Sequence, residues 1–279
     1  MKLPSLLTSL FICSTLHAQP DTEIYLFDVG EDLQLTNPVN ISSNPGYDNQ
    51  PSFWEDGKSV LYARTVAGQT EIAHYSIETG ATKIITNTLQ GSEYSPTQMP
   101  DGRISSIRLD TTGVQFLYAY DMQGTYEVLI PDLVIGYHAW INEAALLAFV
   151  LDEPPTLQII DTYSYDSQII KENIGRSLHK IPGSKEISFV DKSQEPWRIY
   201  ARDHDGNDRL LTETLEGSED FCWTPNGEKI FMGKGSKLFY WGASSSWTDF
   251  FDLATFDLTG ITRISISPDG KKLALVLLD

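Results

Sequence analysis

The sequence predicts an all-β protein, a six-bladed β-propeller of four-stranded antiparallel blades closed by pairing of its N- and C-terminal strands. Three observations carry this. A turn-and-strand unit recurs six times at intervals of about 40–45 residues, a period that belongs to propellers and solenoids. Between consecutive units lies a second pair of β-rich runs, and no amphipathic helix of useful length interrupts them. The last unit has no following pair, whereas one pair precedes the first unit, so the two ends complete one blade and remove two open sheet edges. A solenoid would need polar caps, and neither terminus reads as one.

The clearest copy of the unit is Ser267, Pro268, Asp269, Gly270 and Lys271, followed by the apolar run 273–276. Asp-Gly supplies the tight hairpin turn. Further copies centre on Asp56-Gly57, Asp101-Gly102 and Asn226-Gly227, with weaker ones at Asn142 and Gly183-Ser184. We call the strand entering each turn A and the one leaving it B, with C and D for the next pair. The first pair is expected at 23–28 and 33–36, and a polar loop over 37–50 leads to the first unit at 51–54 and 60–63. Further pairs follow at 71–77 with 83–86, 115–121 with 126–130, 157–161 with 168–170, 198–203 with 209–212, and 237–241 with 250–253. Phe53, Tyr62, Trp140 and Trp223 hold repeat positions and are expected between blades. Trp54, Trp197, Trp241 and Trp247 are less tied to the pattern, and an exposed one among them would suit a sugar ring.

Residues 1–18 read as a secretory signal peptide: Lys2, an apolar run over 6–16, and the small residue Ala18. The run is about half the length a membrane span needs. The remainder, 19–279, is expected to form a single propeller domain, monomeric and periplasmic or secreted. With Cys13 removed only Cys222 remains, so no intrachain disulfide forms, and Cys222 beside Trp223 on an A strand is expected to be buried and inert. The chain has 20 Lys plus Arg against 38 Asp plus Glu, a formal charge of −18. Such acidity repels nucleic acid and anionic lipid.

The pattern of Pro51, Phe53, Asp56, Gly57 and Lys58, followed by Glu71-Ile72, resembles the WD40-like repeat of TolB-type propellers. Ser267, Pro268, Asp269, Gly270 and Lys271 match it again, and Glu23-Ile24-Tyr25 with Leu35-Thr36 and Leu211-Thr212 match its second half. The resemblance spans the mature chain. It implies the six-bladed fold and a protein or peptide partner in a bacterial envelope, although related propellers also include gating domains of prolyl-oligopeptidase-like peptidases and some polysaccharide lyases. TolB carries a further N-terminal domain, and peptidase propellers are fused to a hydrolase. A strand here starts a few residues after the expected cleavage site and the sequence stops after a B strand, so a lone propeller is expected.

In a propeller the D-to-A and B-to-C connections share one face, and function is expected where the inner A strands begin. The candidate residues there are Tyr47, Asp48 and Asn49; Glu93 and Tyr94; Tyr137 and His138; Arg176; Glu219 and Asp220; and Arg263. Three readings stand. Asp48, Asn49, Glu93, Glu219 and Asp220 converge as hard oxygen ligands for Ca²⁺, the one cofactor considered, or they serve only backbone groups and channel water, or they contact a ligand or peptide. The first belongs with an alternative function, a carbohydrate- or small-molecule-active lyase or hydrolase using a divalent cation in an acidic axial channel. Arg176 and Arg263 are expected either to clamp a carboxylate or to neutralise neighbouring acids. His138 and His179 differ by one in their offset from the turn, which points them to opposite faces and away from a shared metal. No nucleophile elbow, zinc-protease motif or phosphate loop is present, and Ser244-Ser245-Ser246 is a hairpin tip without a base, so no catalytic residue is assigned.

Overall fold

The computed structural model describes residues 20–242 and 246–278. The signal-peptide stretch 1–18 and the Ser244-Ser245 tip lie outside them. Six four-stranded antiparallel sheets surround an axis, and the expected propeller is what forms. Blade 6 joins the chain ends: β1 (Thr22–Val29) and β2 (Leu35–Asn40) add to β24 (Lys272–Leu278) and β23 (Ile261–Ile266). Blade 1 is β3 (Asn49–Phe53), β4 (Ser59–Val66), β5 (Gln69–Ser76) and β6 (Thr82–Ile84). Blade 2 is β7 (Gly91–Gln98), β8 (Ile104–Asp110), β9 (Gln115–Tyr120) and β10 (Tyr126–Ile130). Blade 3 is β11 (Ile135–Asn142), β12 (Ala145–Val150), β13 (Thr156–Asp161) and β14 (Ser167–Glu172). Blade 4 is β15 (Ile174–Lys180), β16 (Ile187–Asp191), β17 (Arg198–Arg202) and β18 (Asp208–Glu213). Blade 5 is β19 (Phe221–Trp223), β20 (Ile230–Lys234), β21 (Lys237–Trp241) and β22 (Thr248–Asp252), followed by a 3₁₀ turn over Leu253–Phe256.

The repeat has a common physical cause. At all six A–B turns a short polar side chain accepts the backbone N–H two residues on: Asp56 from Lys58, Asp101 from Arg103, Asn142 from Ala144, Ser184 from Glu186, Asn226 from Glu228 and Asp269 from Lys271. This side-chain mimic of a turn favours the hairpin over extended chain. It also explains why Asn142 and Ser184 preserve the fold where Asp-Gly is missing.

Closure is by β1 against β24. Ile24 faces Val276, Leu26 faces Ala274 and Phe27 faces Leu273. Ile24 and Phe27 are fully buried, on opposite faces of the same strand, one against blade 1 and the other against blade 5. The outermost strand β2 runs to Asn40, beyond the expected 33–36. A bulge at Asn37, in the left-handed region at φ 52°, lets pairing resume at Leu26–Val39, and an edge strand tolerates Pro38.

Blades dock through A-strand side chains. Trp140 donates its indole N–H to Ser105 Oγ on the preceding blade at 2.9 Å, and Trp223 does the same to Ser188 at 2.8 Å. Tyr62 is fully buried and Phe53 packs on the same cluster. No described tryptophan is exposed, so the exposed indole sought for a sugar site is not found; Trp54, Trp197, Trp241 and Trp247 are each half-buried. Burial pushes the Cys222 thiol well above its ordinary range, in keeping with an inert side chain. Among the described residues no helix is long and apolar enough to cross a membrane.

Candidate functional site at the channel mouth

The six A strands begin at one end of the axis, the mouth face, and all six blades contribute to a network there. Asp220, immediately before β19, receives Arg176 from β15 through Nε at 3.1 Å and through Nη2, and Arg263 from β23 through Nη1 at 3.1 Å. Arg263 also donates to Tyr137 Oη of β11 at 3.1 Å and lies over that ring. Tyr47, entering β3, meets Tyr94 of β7 edge-on at 6.3 Å. Gln50 and Ser95 tie blades 1 and 2 together, the Ser95 N–H donating to Gln50 Oε1 at 2.7 Å. Arg176 further pairs with Glu219 at 3.2 Å, and Lys192 reaches the same carboxylate at 3.3 Å.

Burial opposes the charge on Arg263, but Asp220, with the Tyr137 and Tyr47 hydroxyls, more than offsets it, so the guanidinium stays charged. Burial likewise works against Arg176, and Asp220 again outweighs it. Burial pushes Tyr47 up to about 12, against the pull of Arg263. Both arginines therefore stay charged and pair with acids at the mouth.

The acids do not converge. Strand alternation turns Glu93 away from Tyr94 and into the interface of blades 1 and 2, where Thr88 Oγ1 donates to it at 2.6 Å and Tyr120 at 3.0 Å. Asp48 turns toward the loop before β3 and the end of β4, accepting from Asn44 Nδ2 and the Thr65 N–H. Asn49 Nδ2 donates to Thr22 Oγ1 at 3.1 Å. Only Glu219 and Asp220 remain together, each held by arginine. Among the described residues no three His, Cys, Asp or Glu side chains are grouped to hold a metal. The residues read as possible calcium ligands therefore stand apart.

The histidines part as their offsets require. His138 reaches back to Ser105 Oγ at 2.7 Å, whereas His179 packs on Phe221 of the next blade at 4.5 Å. Burial pushes both down to about 4. His204 is exposed beside Asp205, and His74 is half-buried against Trp54.

Burial also pushes Asp48 up to about 6. Glu93, fully buried with Glu71 as its acidic neighbour, is raised as well, burial being the main cause. A raised carboxyl contributes stability that is complete below its unfolded value and is lost as pH rises through the folded one. Glu93→Gln is therefore expected to gain on the wild type between pH 5 and pH 8 by several degrees in Tm. A Tm difference that stays flat across that range contradicts the assignment.

Sequence reasoning aligned only the A-strand starts and missed what the B–C hairpins add to the same face. Lys192 and Trp197 sit on one such connection, with the Lys192 ammonium 3.7 Å from the indole centroid. Val66, Val114 and Leu151 are exposed at the B–C tips of blades 1, 2 and 3, and Leu89 and Val134 are exposed on the loops entering blades 2 and 3. Leu89 is 90% exposed. The signal was available for Val66, Leu89, Val114 and Leu151, each an apolar residue beside a glycine or a polar residue.

No protein-family model matches the chain, and no curated protein sequence matches it. Solved structures do. A putative TolB from Agrobacterium tumefaciens superposes with a TM-score of 0.74 at 14% identity, covering 94% of this chain and 99% of that one. The fold is that of a TolB-like propeller. TolB from Acinetobacter baumannii gives 0.60 at 16% identity over 92% of this chain, which spans 63% of that longer protein. A gluconolactonase from Xanthomonas campestris gives 0.64 at 10% identity, covering 94% and 98%. The TolB-like fold is thus shared by proteins of different activities.

Proposed function

We propose that this chain is an exported, non-catalytic propeller that binds a protein or peptide partner in a bacterial envelope through its mouth face. The observation that carries the reading is the pairing, on one face, of an arc of exposed apolar loop tips over blades 1–3 with a fixed mouth of Tyr47, Tyr94, Tyr137, Arg176 and Arg263. Exposed apolar residues gathered on one end of neighbouring blades offer apolar area to a partner. Tyrosine and arginine dominate binding hot spots. The bonds that link the blades hold these side chains in place before a partner arrives, which lowers the ordering cost of association. The Lys2-led apolar run supports export. The enzymatic alternative, in which acids of the channel bind a divalent cation, draws no support from their placement, since Asp48, Glu93 and the Glu219–Asp220 pair occupy three separate settings.

The test is retention of envelope proteins by the immobilised mature chain. The wild type is expected to retain a partner that the double variant Val134→Asp/Leu151→Asp loses while keeping its circular dichroism spectrum. Equal retention by both chains would sink the reading.

A further inference from the structure

Beside the channel mouth, between blades 4, 5 and 6, lies a pocket of ≈ 220 Å³ walled by Arg176, Trp197, Gly217, Ser218, Gly233 and Arg263. Glu219 and Asp220 line it as well, and the ion-pair network that continues beyond the wall to Lys192 does not balance. Arg176, Arg263 and Lys192 supply three cations, and Glu219 and Asp220 two anions. One positive charge is left over at the mouth of a chain whose formal charge is −18. Both acids are committed, Asp220 to two guanidiniums and Glu219 to Arg176 and Lys192. The cations retain capacity. Of the five N–H donors of Arg176, contacts with Asp220 and Glu219 engage three. Lys192 gives one of its three to Glu219, and its side chain is 30% exposed. The backbone is shaped around this arrangement: a Cβ at Gly175 would lie 2.7 Å from Glu219 Oε2, so glycine lets that carboxylate lie against the chain and accept the Arg176 N–H at 3.3 Å.

We propose that this pocket captures a free carboxylate group supplied by the partner that docks on the mouth face, a proposal that rests on the partner-binding reading above. A carboxylate carries the single negative charge that cancels the excess, and its planar pair of oxygens matches guanidinium donors. A phosphate dianion would overshoot the balance beside Glu219 and Asp220, and a cation would meet the excess charge directly.

Three probes separate the sources. N-acetyl-leucine offers a terminal carboxylate, N-acetyl-aspartic acid α-amide a side-chain one, and N-acetyl-leucine amide none. Titrated into ¹⁵N-labelled protein at millimolar concentration, the two acids are expected to shift the Arg176 and Arg263 Nε–Hε signals saturably, the better binder naming the source, while the amide leaves them in place. Lys192→Met, which removes the one network cation outside the pocket wall, should weaken the acid by about fivefold or more as a partly exposed charge is lost. Glu219→Gln should tighten it. Equal shifts from acid and amide, or none from any probe, overturn the proposal. So does undiminished partner retention by Lys192→Met where Val134→Asp/Leu151→Asp loses it, a result that leaves the docking face standing and removes only the carboxylate.

Discussion

A chain lacking residues 20–36 is expected to be unfolded. That segment carries all of β1, and its removal bares the whole length of β24, where seven residue pairs now form. Ile24, Leu26, Phe27 and Leu35 are each at most 4% exposed. Their burial is worth together on the order of 6–12 kcal/mol, comparable to the entire stability of a typical domain at roughly 5–15 kcal/mol. Lys272 adds an ion pair to Asp28 across the seam. Because Ile24 packs toward blade 1 and Phe27 toward blade 5, the loss reaches both neighbours of the deleted strand. Urea denaturation followed by tryptophan fluorescence checks this. A truncated chain that melts cooperatively at the wild-type midpoint would show that the clasp holds nothing together.

Asp220→Asn is expected to be the most costly single substitution at the mouth, at roughly 3–5 kcal/mol. Asp220 alone lies between Arg176 and Arg263, and their side chains are only 31% and 14% exposed. The asparagine keeps the shape but leaves two guanidiniums facing each other across a neutral amide. Arg263→Met in the same chain should recover part of the loss, because Arg176 then pairs with Glu219 alone. Strict additivity of the two substitutions in a double-mutant cycle would mean that the network is not one unit.

How much of this was legible in the sequence follows from what each feature depends on. The fold was readable because every A–B turn is a local event, a short polar side chain bonding two residues ahead, and local events leave a local pattern even at Asn142 and Ser184. The extent of β2 was not, since Pro38 reads as a strand breaker until its edge position and the bulge at Asn37 are known. The ring of mouth residues was found by aligning A-strand starts, and Tyr47, Tyr94, Tyr137, Arg176, Asp220 and Arg263 do meet. Asp48 and Glu93 do not, because a single step along a strand exchanges the axis for a blade interface. Nor did the alignment reveal Lys192, which arrives from a hairpin that pairs with the A strands only in three dimensions.

The central claim is that the partner docks on the mouth face, and the most direct measurement is site-specific photo-crosslinking. A benzophenone side chain placed at Leu89 on that face, and in a second chain at Lys58 on the A–B turns at the opposite end, is irradiated in the presence of envelope extract. The account predicts a discrete covalent adduct from position 89 and none from position 58. An adduct from position 58 alone, or from neither position, would contradict it.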